Sequence, residues 1–265
     1  MNQAAIEEIA RLIVASQRVV ALTGAGISTP SGVPDFRSPA SGLWQNVNAE
    51  EVASLGAFRR NPAAFYDWLR PLARQILLAQ PNPAHRALAA LERVGRLRTV
   101  ITQNIDGLHQ KAGSRRVLEL HGHLRQATCL RCHQSTPTAA FMDAYVTAGR
   151  VPACLQCGGV LKPDVILFGE LLPVAVLTEA EREAESCDLM WVVGSSLTVA
   201  PASLLPMEAV KNGAPLVIVN RTPTDLDRRA TVVLRGDAAE VLPAVVEACG
   251  IGTAAGEVGR EPGRG

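Results

Sequence analysis

No stretch of the 265 residues approaches the roughly 18 to 20 consecutive apolar residues of a membrane span. Runs of like charge are also missing, and 26 Lys and Arg balance 25 Asp and Glu. Nothing therefore marks a nucleic-acid or membrane surface by electrostatics, which leaves small molecules and peptides as partners. There is no internal repeat. The opening residues, MNQAAIEEIARLIVASQ, have the pattern of an amphipathic helix rather than a secretion signal, so a cytoplasmic protein is expected. With 48% of residues apolar, the chain can bury one large core and a small satellite.

What is present begins with short apolar runs: RVVALT (18–23), LRTVIT (97–102), DVILF (164–168), DLMWVVG (188–194), PLVIVN (215–220) and TVVL (231–234). Runs of this length suit strands buried on both faces of a helix-covered parallel sheet. Ile6, Ile9, Leu12 and Ile13 form a helical stripe, as do Leu88, Leu91 and Val94. The pattern predicts an α/β, Rossmann-like doubly wound sheet built from residues 1–39, 84–122 and 162–250. Two segments interrupt it: 40–83, helix-like and punctuated by Pro62, Pro71, Pro81 and Pro83, and 123–161, which carries paired cysteines. Together they predict a smaller inserted lobe. Residues 251–265, with five glycines and no periodicity, are expected to form a disordered tail.

Six cysteines are present. Cys129 and Cys132 form one C-x-x-C, Cys154 and Cys157 another, and the spacing is that of a zinc ribbon. Four thiolates close the shell, which assigns the metal to folding rather than catalysis. Cys187 and Cys249 read as small buried hydrophobes.

The segment LTGAGISTPSGVPDFRSP follows a strand, where Gly24 and Gly26 could let the backbone approach a pyrophosphate. It lacks the third glycine of G-x-G-x-x-G, because Thr29 and Pro30 stand there, and it lacks an acid ~20 residues on. Alone, these glycines could equally make an ordinary strand-to-helix turn. Gln103, Asn104 and Asp106 cluster at the end of a second strand, the edge where open parallel sheets bind ligands. Either Asn104 or Asp106 could instead cap a helix. His121 ends a further probable strand and suits proton transfer, while His123 could be structural or a partner of the metal lobe. Gly194, Ser195, Ser196 and Asn220 end two more strands in small or polar residues.

Taken in order, GAGIS with SGVPDFR, TQNID, LHG, the two C-x-x-C pairs, KPDVILFGE, GSSLTV and VIVN resemble the sirtuin family of NAD-dependent protein lysine deacylases, from about residue 3 to 249. The resemblance implies a Rossmann-like NAD domain with a smaller lobe made of a zinc ribbon and a helical module. It also implies that Gly24, Ala25, Gly26 and Thr29 line the NAD phosphates and that Asp35, Phe36 and Arg37 lie in the cover over the nicotinamide ribose. Gln103 and Asn104 would contact that ribose, and Ile105 and Asp106 would receive the nicotinamide carboxamide. The adenosine end would fall to Gly194, Ser195, Ser196, Asn220 and Ala238. In the implied reaction the acyl-lysine oxygen attacks the ribose as nicotinamide leaves. His121, the general base, then activates a ribose hydroxyl, and water releases lysine and O-acetyl-ADP-ribose. A peptide strand would lie between VILFGE and a loop of the small lobe, with Val165, Ile166, Phe168 and Gly169 at the acyl-lysine tunnel. Sirtuins that prefer acidic acyl groups carry a Tyr and an Arg three residues apart; ungapped alignment puts Leu69 and Leu72 there, although Tyr66 and Arg70 are nearby. Competing readings are mono-ADP-ribosyl transfer or NAD hydrolysis at the same site, and a non-catalytic NAD-sensing zinc-ribbon protein. The oligomeric state is not legible.

Overall fold

The computed structural model describes residues 2–35 and 48–252. Along the chain the strands are β1 (Val19–Thr23), β2 (Leu97–Thr102), β3 (Val117–Glu119), β4 (Gly122–Cys129), β5 (Ser135–Pro137), β6 (Leu161–Val165), β7 (Leu189–Val193), β8 (Leu216–Val219) and β9 (Val232–Leu234). The helices are α1 (Gln3–Ala15), α2 (Ala49–Val52), α3 (Leu55–Arg60), α4 (Pro62–Leu78), α5 (Pro83–Arg93), α6 (Leu108–Lys111), α7 (Met142–Ala148), α8 (Val174–Ser186), α9 (Leu205–Lys211) and α10 (Ala238–Ala248).

Six strands form one parallel sheet in the order β3-β2-β1-β7-β8-β9. Alternate residues of β1 go to opposite faces: Val19 and Ala21 pack with α1, α5 and α10, Val20 and Leu22 with α8 and α9. Every residue of β1, β7 and β8 is buried, which explains why these strands read as unbroken apolar runs. Ile6, Ile9 and Ile13 of α1 are buried as the stripe predicts. Val94 is not: α5 ends at Arg93, and Val94 lies past its last turn, half exposed.

The strand expected in the main sheet at 164–168 is displaced. It runs Leu161–Val165 and pairs antiparallel with β4 in a separate three-stranded sheet, β5-β4-β6. Lys162 and Pro163 made this stretch look unlike a buried strand, but an edge strand accepts a proline because one of its flanks needs no donor. Pro71 likewise does not end a helix; it sits inside α4. The small unit has its own core, in which Phe58, Phe65, Tyr66 and Tyr145 pack edge to face at 5.0 to 6.0 Å. Residues 253–265, where the tail was expected, lie outside the described residues. Among the described residues no helix is long and apolar enough to cross a membrane.

Candidate active site

Strand order reverses about β1: its chain successor β2 lies on one side and β7 on the other. The crevice at the C-terminal ends of these strands is where a doubly wound sheet leaves room for a ligand. A cavity of about 540 Å³ opens there, between the sheet edge and the small unit. All the residues expected at the site that the structure describes line it, except Asp106. Asp106 instead lines a side cavity of about 20 Å³ with Ser28, Pro34 and Ile76; Ala25, Leu72, Asn104 and Ile105 line both. Phe36 and Arg37 lie outside the described residues.

Contacts within the chain itself already require these glycines. A Cβ on Gly26 would stand 2.8 Å from the Gly194 carbonyl oxygen, and one on Gly24 would stand 2.9 Å from the same atom. The Gly26 amide donates to that oxygen at 2.8 Å and the Gly24 amide to the Val193 carbonyl at 3.1 Å. Gly194 has φ +61°, and a side chain there would strike the Ile27 nitrogen at 2.3 Å. The turn after β1 and the turn after β7 are thus packed backbone against backbone. Where a third glycine and a regular helix were missing, two short 3₁₀ turns run over Ala25–Ile27 and Thr29–Ser31, with the Thr29 hydroxyl donating to the Gly26 carbonyl.

Beneath these turns lies a buried polar cluster that sequence reasoning missed. Ser28 Oγ donates to Asp106 Oδ2 at 2.7 Å and accepts from Asn104 Nδ2 at 3.2 Å, with His85 Nε2 at 3.4 Å. His85 Nδ1 accepts the Asn82 amide, and Asn82 reaches across to the Ile27 carbonyl at 2.7 Å. The His85 ring meets that of His109 at 4.9 Å, and His109 Nε2 lies 2.9 Å from the Thr23 hydroxyl. Burial pushes His85 down to about 4, His109 well below the ordinary histidine value, and Asp106 above the usual carboxylate value. The only sequence signal was the N-P-A-H string, whose Asn and His form a capping box at the start of α5.

Both amide hydrogens of Asn104 are used, on the Gly24 carbonyl and on Ser28, so its own carbonyl oxygen is the group left for a ligand. Gln103 Nε2 donates to Ser195 Oγ at 2.9 Å and ties β2 to the β7 turn. Asn220 spends its amide hydrogens on Thr222 in the turn after β8.

His121 sits between β3 and β4. Its Nδ1 hydrogen-bonds the Gln103 carbonyl at 2.9 Å. A carbonyl only accepts, so that nitrogen carries the proton and Nε2 is the lone-pair nitrogen facing the cavity. Burial lowers the pKa of the ring, partly offset by the Gln103 bond. Gly122, next in the chain, has φ +72°, and a Cβ there would fall 2.0 Å from the Asp164 carbonyl oxygen. Only glycine fits that position.

On the opposite wall, Phe65, Trp68, Leu69 and Leu72 of α4 face the cavity with Val165 to Gly169. The register of α4 is unambiguous: Tyr66 donates its hydroxyl to the Leu161 carbonyl, and Arg70 donates to the Val146 and Thr147 carbonyls at the end of α7. Neither reaches the cavity. The peptide position expected between VILFGE and a small-lobe loop is closed at Phe168, whose amide and carbonyl are already bonded to Ala53 and Leu55. Gly169, Glu170 and Leu172 line the same cavity as Val199 and Ala200.

The four cysteines converge. Their Sγ atoms lie within 4.8 Å of one another, with Cys129 to Cys157 at 3.5 Å and Cys132 to Cys154 at 3.7 Å. A tetrahedral zinc with ~2.3 Å bonds separates its sulfurs by about 3.8 Å, so the donor set fits that ion. Backbone amides of Cys132 and Arg131 pull the Cys129 thiol down to about 6. Gly159 is required here, since a Cβ would meet Cys129 Sγ at 2.9 Å. His123 is not part of this cluster, and its Nδ1 is buried without a partner.

The Sir2 family model matches residues 24–201. NAD-dependent protein deacylase 2 of Archaeoglobus fulgidus is 49% identical over 243 residues, covering 91% of this chain and 95% of that protein. NAD-dependent protein deacetylase 1 of Geobacillus kaustophilus is 47% identical over 222 residues, covering 84% and 89%. A Sir2 enzyme solved for its mechanism and regulation superposes with a TM-score of 0.88 at 47% identity, covering 94% of this chain and 98% of its own. Sir2Af2 bound to a myristoylated histone peptide superposes with a TM-score of 0.81 at 43% identity, covering 93% and 96%. With the strand-end cavity, the half-buried His121 on its wall and the four-cysteine ribbon in one chain that these proteins match nearly end to end, the chain belongs to the Sir2 family, the sirtuins.

Proposed function

We propose that the chain is an NAD-dependent protein lysine deacetylase. NAD is consumed as a co-substrate and acyl-lysine side chains of peptides or proteins are the other substrate; nicotinamide, O-acetyl-ADP-ribose and free lysine are the products. The observation that carries this reading is His121, oriented by the Gln103 carbonyl so that an unprotonated Nε2 faces a cavity shared by the glycine turn and the 165–169 segment.

In this reading Gly24, Ala25, Gly26 and Thr29 receive the phosphates. The Asn104 carbonyl oxygen and Gln103 orient the reacting ribose, and Ile105 and Asp106 take the carboxamide in the side cavity. Asp35, Phe36 and Arg37 belong to the cover over that ribose. Gly194, Ser195, Ser196, Asn220 and Ala238 hold the adenosine end. His121 Nε2 accepts the proton of a ribose hydroxyl. Val165, Ile166, Phe168 and Gly169 border the acyl-lysine, and the peptide lies along 169–172 toward Val199. Cys129, Cys132, Cys154 and Cys157 hold one structural zinc, which supplies folding energy to the ribbon. The two-lobe division follows, with β6 and the 166–170 segment counted with the small lobe. Free thiols that serve as metal ligands suit a reducing compartment, which supports cytoplasmic residence.

The test is product analysis on an acetyl-lysine peptide. Free lysine and O-acetyl-ADP-ribose should appear only with NAD, in step with nicotinamide. His121→Ala should lower turnover by about 10²- to 10⁴-fold while ADP-ribose still binds. ADP-ribose appearing on a protein acceptor, or nicotinamide without free lysine, would favour transfer or NAD hydrolysis instead. Deacetylation untouched by His121→Ala sinks the mechanism.

A further inference from the structure

The segment 165–170 borders the cavity along its length and is joined to the general base, since the Ile166 amide donates to the His121 carbonyl at 2.9 Å. Besides the bonds of Phe168 to Ala53 and Leu55, a charge that is mostly buried holds this segment. Lys162 Nζ lies 2.9 Å from Glu170 Oε2, 2.9 Å from the Val165 carbonyl and 3.2 Å from the Pro163 carbonyl. Three acceptors match the three donors of an ammonium. The same Glu170 oxygen accepts the Leu167 amide at 2.8 Å, and the Glu170 amide returns to the Leu167 carbonyl. The side chains of Lys162 and Glu170 are only 11% and 20% exposed. All of these Lys162 contacts fall on the segment that follows it; none reaches the six-stranded sheet or the cysteine cluster. An ion pair this enclosed holds position well and is costly to break on one side, because the remaining charge is left uncompensated.

We propose that Lys162 and Glu170 form an anchor that positions the 167–170 turn for the acyl-peptide, so that they set affinity for the peptide and not for NAD. The proposal rests on the deacetylase reading above. Lys162 touches neither substrate in it; it acts through the backbone of Val165 and the carboxylate of Glu170. Lys162→Met keeps the chain length and removes the charge. Glu170→Gln keeps an acceptor for the Leu167 amide and removes only the ion pair.

Steady-state kinetics with an acetyl-lysine peptide and NAD read the split. The expected result is a rise of about tenfold in KM for the peptide in either variant, with KM for NAD and kcat within about twofold. Lys162→Arg should recover most of the loss. A general loosening of the fold would move both KM values and kcat together, and that outcome, or an unchanged peptide KM, overturns the proposal. If Lys162→Met fails to fold, Glu170→Gln supplies the same measurement at a less buried position. Calorimetric titration of the peptide into the ADP-ribose-loaded protein separates this from the parent reading. A wild-type chain that binds peptide but frees no lysine overturns the deacetylase reading, whereas equal peptide binding by wild type and both variants overturns the anchor.

Discussion

His85 and His109 are neutral imidazoles sealed under the turn after β1; their rings meet, Arg86 lies near His85, and Ser28 stands between His85 and Asp106. The unfolded chain binds a proton at each near pH 6.5 and the native chain does not until about pH 4 for His85, so acid favours unfolding. Stability should therefore fall as pH drops from about 6.5 to 4, by about 3 kcal/mol for His85 alone. Asp106, whose pKa is raised, works in the opposite sense and blunts the loss. Melting temperatures across that range should show the acid limb, and His85→Gln, which has no proton to gain, should flatten it. A separate limb belongs to His121: as a base it acts only when deprotonated, and its pKa is lowered, so the acid limb of kcat/KM should lie below pH 6.5. Gln103, Asn104 and His121 were legible because each stands at the end of an apolar run. Ser28 was not, since its partners His85 and Asp106 are 57 and 78 residues away.

At the scale of elements, the ribbon is the part least able to hold itself together. Its own core is small, with Ala127, Cys129, Cys154 and Leu161 as its buried residues, so two of its four packing side chains also belong to the four-cysteine cluster. Cys129→Ala with Cys132→Ala should abolish stoichiometric zinc, and hydrogen exchange should show β4 and β5 losing protection while β1 and β7 keep theirs. Full protection of β4 in a zinc-free variant would contradict a structural metal. The cysteine spacing made this element readable from sequence. The edge strand β6 was not, because Lys162, Pro163 and Asp164 break its apolar run, although all of its residues but Asp164 are buried in the fold.

Across the whole molecule the cavity has two unlike walls. The sheet edge supplies Gln103, Asn104, His121 and Ser195, whereas α4 supplies Phe65, Trp68, Leu69 and Leu72. Tyr66 and Arg70 are committed to Leu161 and to the end of α7, and neither Arg70 nor Arg74 of α4 lines the cavity. Burying a carboxylate unpaired against that wall costs several kcal/mol. Peptides carrying succinyl-lysine should be cleaved with kcat/KM about 100-fold or more below acetyl-lysine, whereas longer uncharged acyl groups should be accepted. Equal rates on succinyl and acetyl peptides would mean that the acyl group does not meet α4.

The interlocked turns after β1 and β7 bear on how the glycine motif can be interpreted. Gly24, Gly26 and Gly194 exclude side chains because two stretches of main chain touch there. In a randomised library these three positions would return as glycine under selection for folding alone, with no nucleotide in the medium. Gly24 and Gly26 can drift only once the Gly194 turn has moved away, whereas Gly194 is held to glycine by its φ of +61° as well.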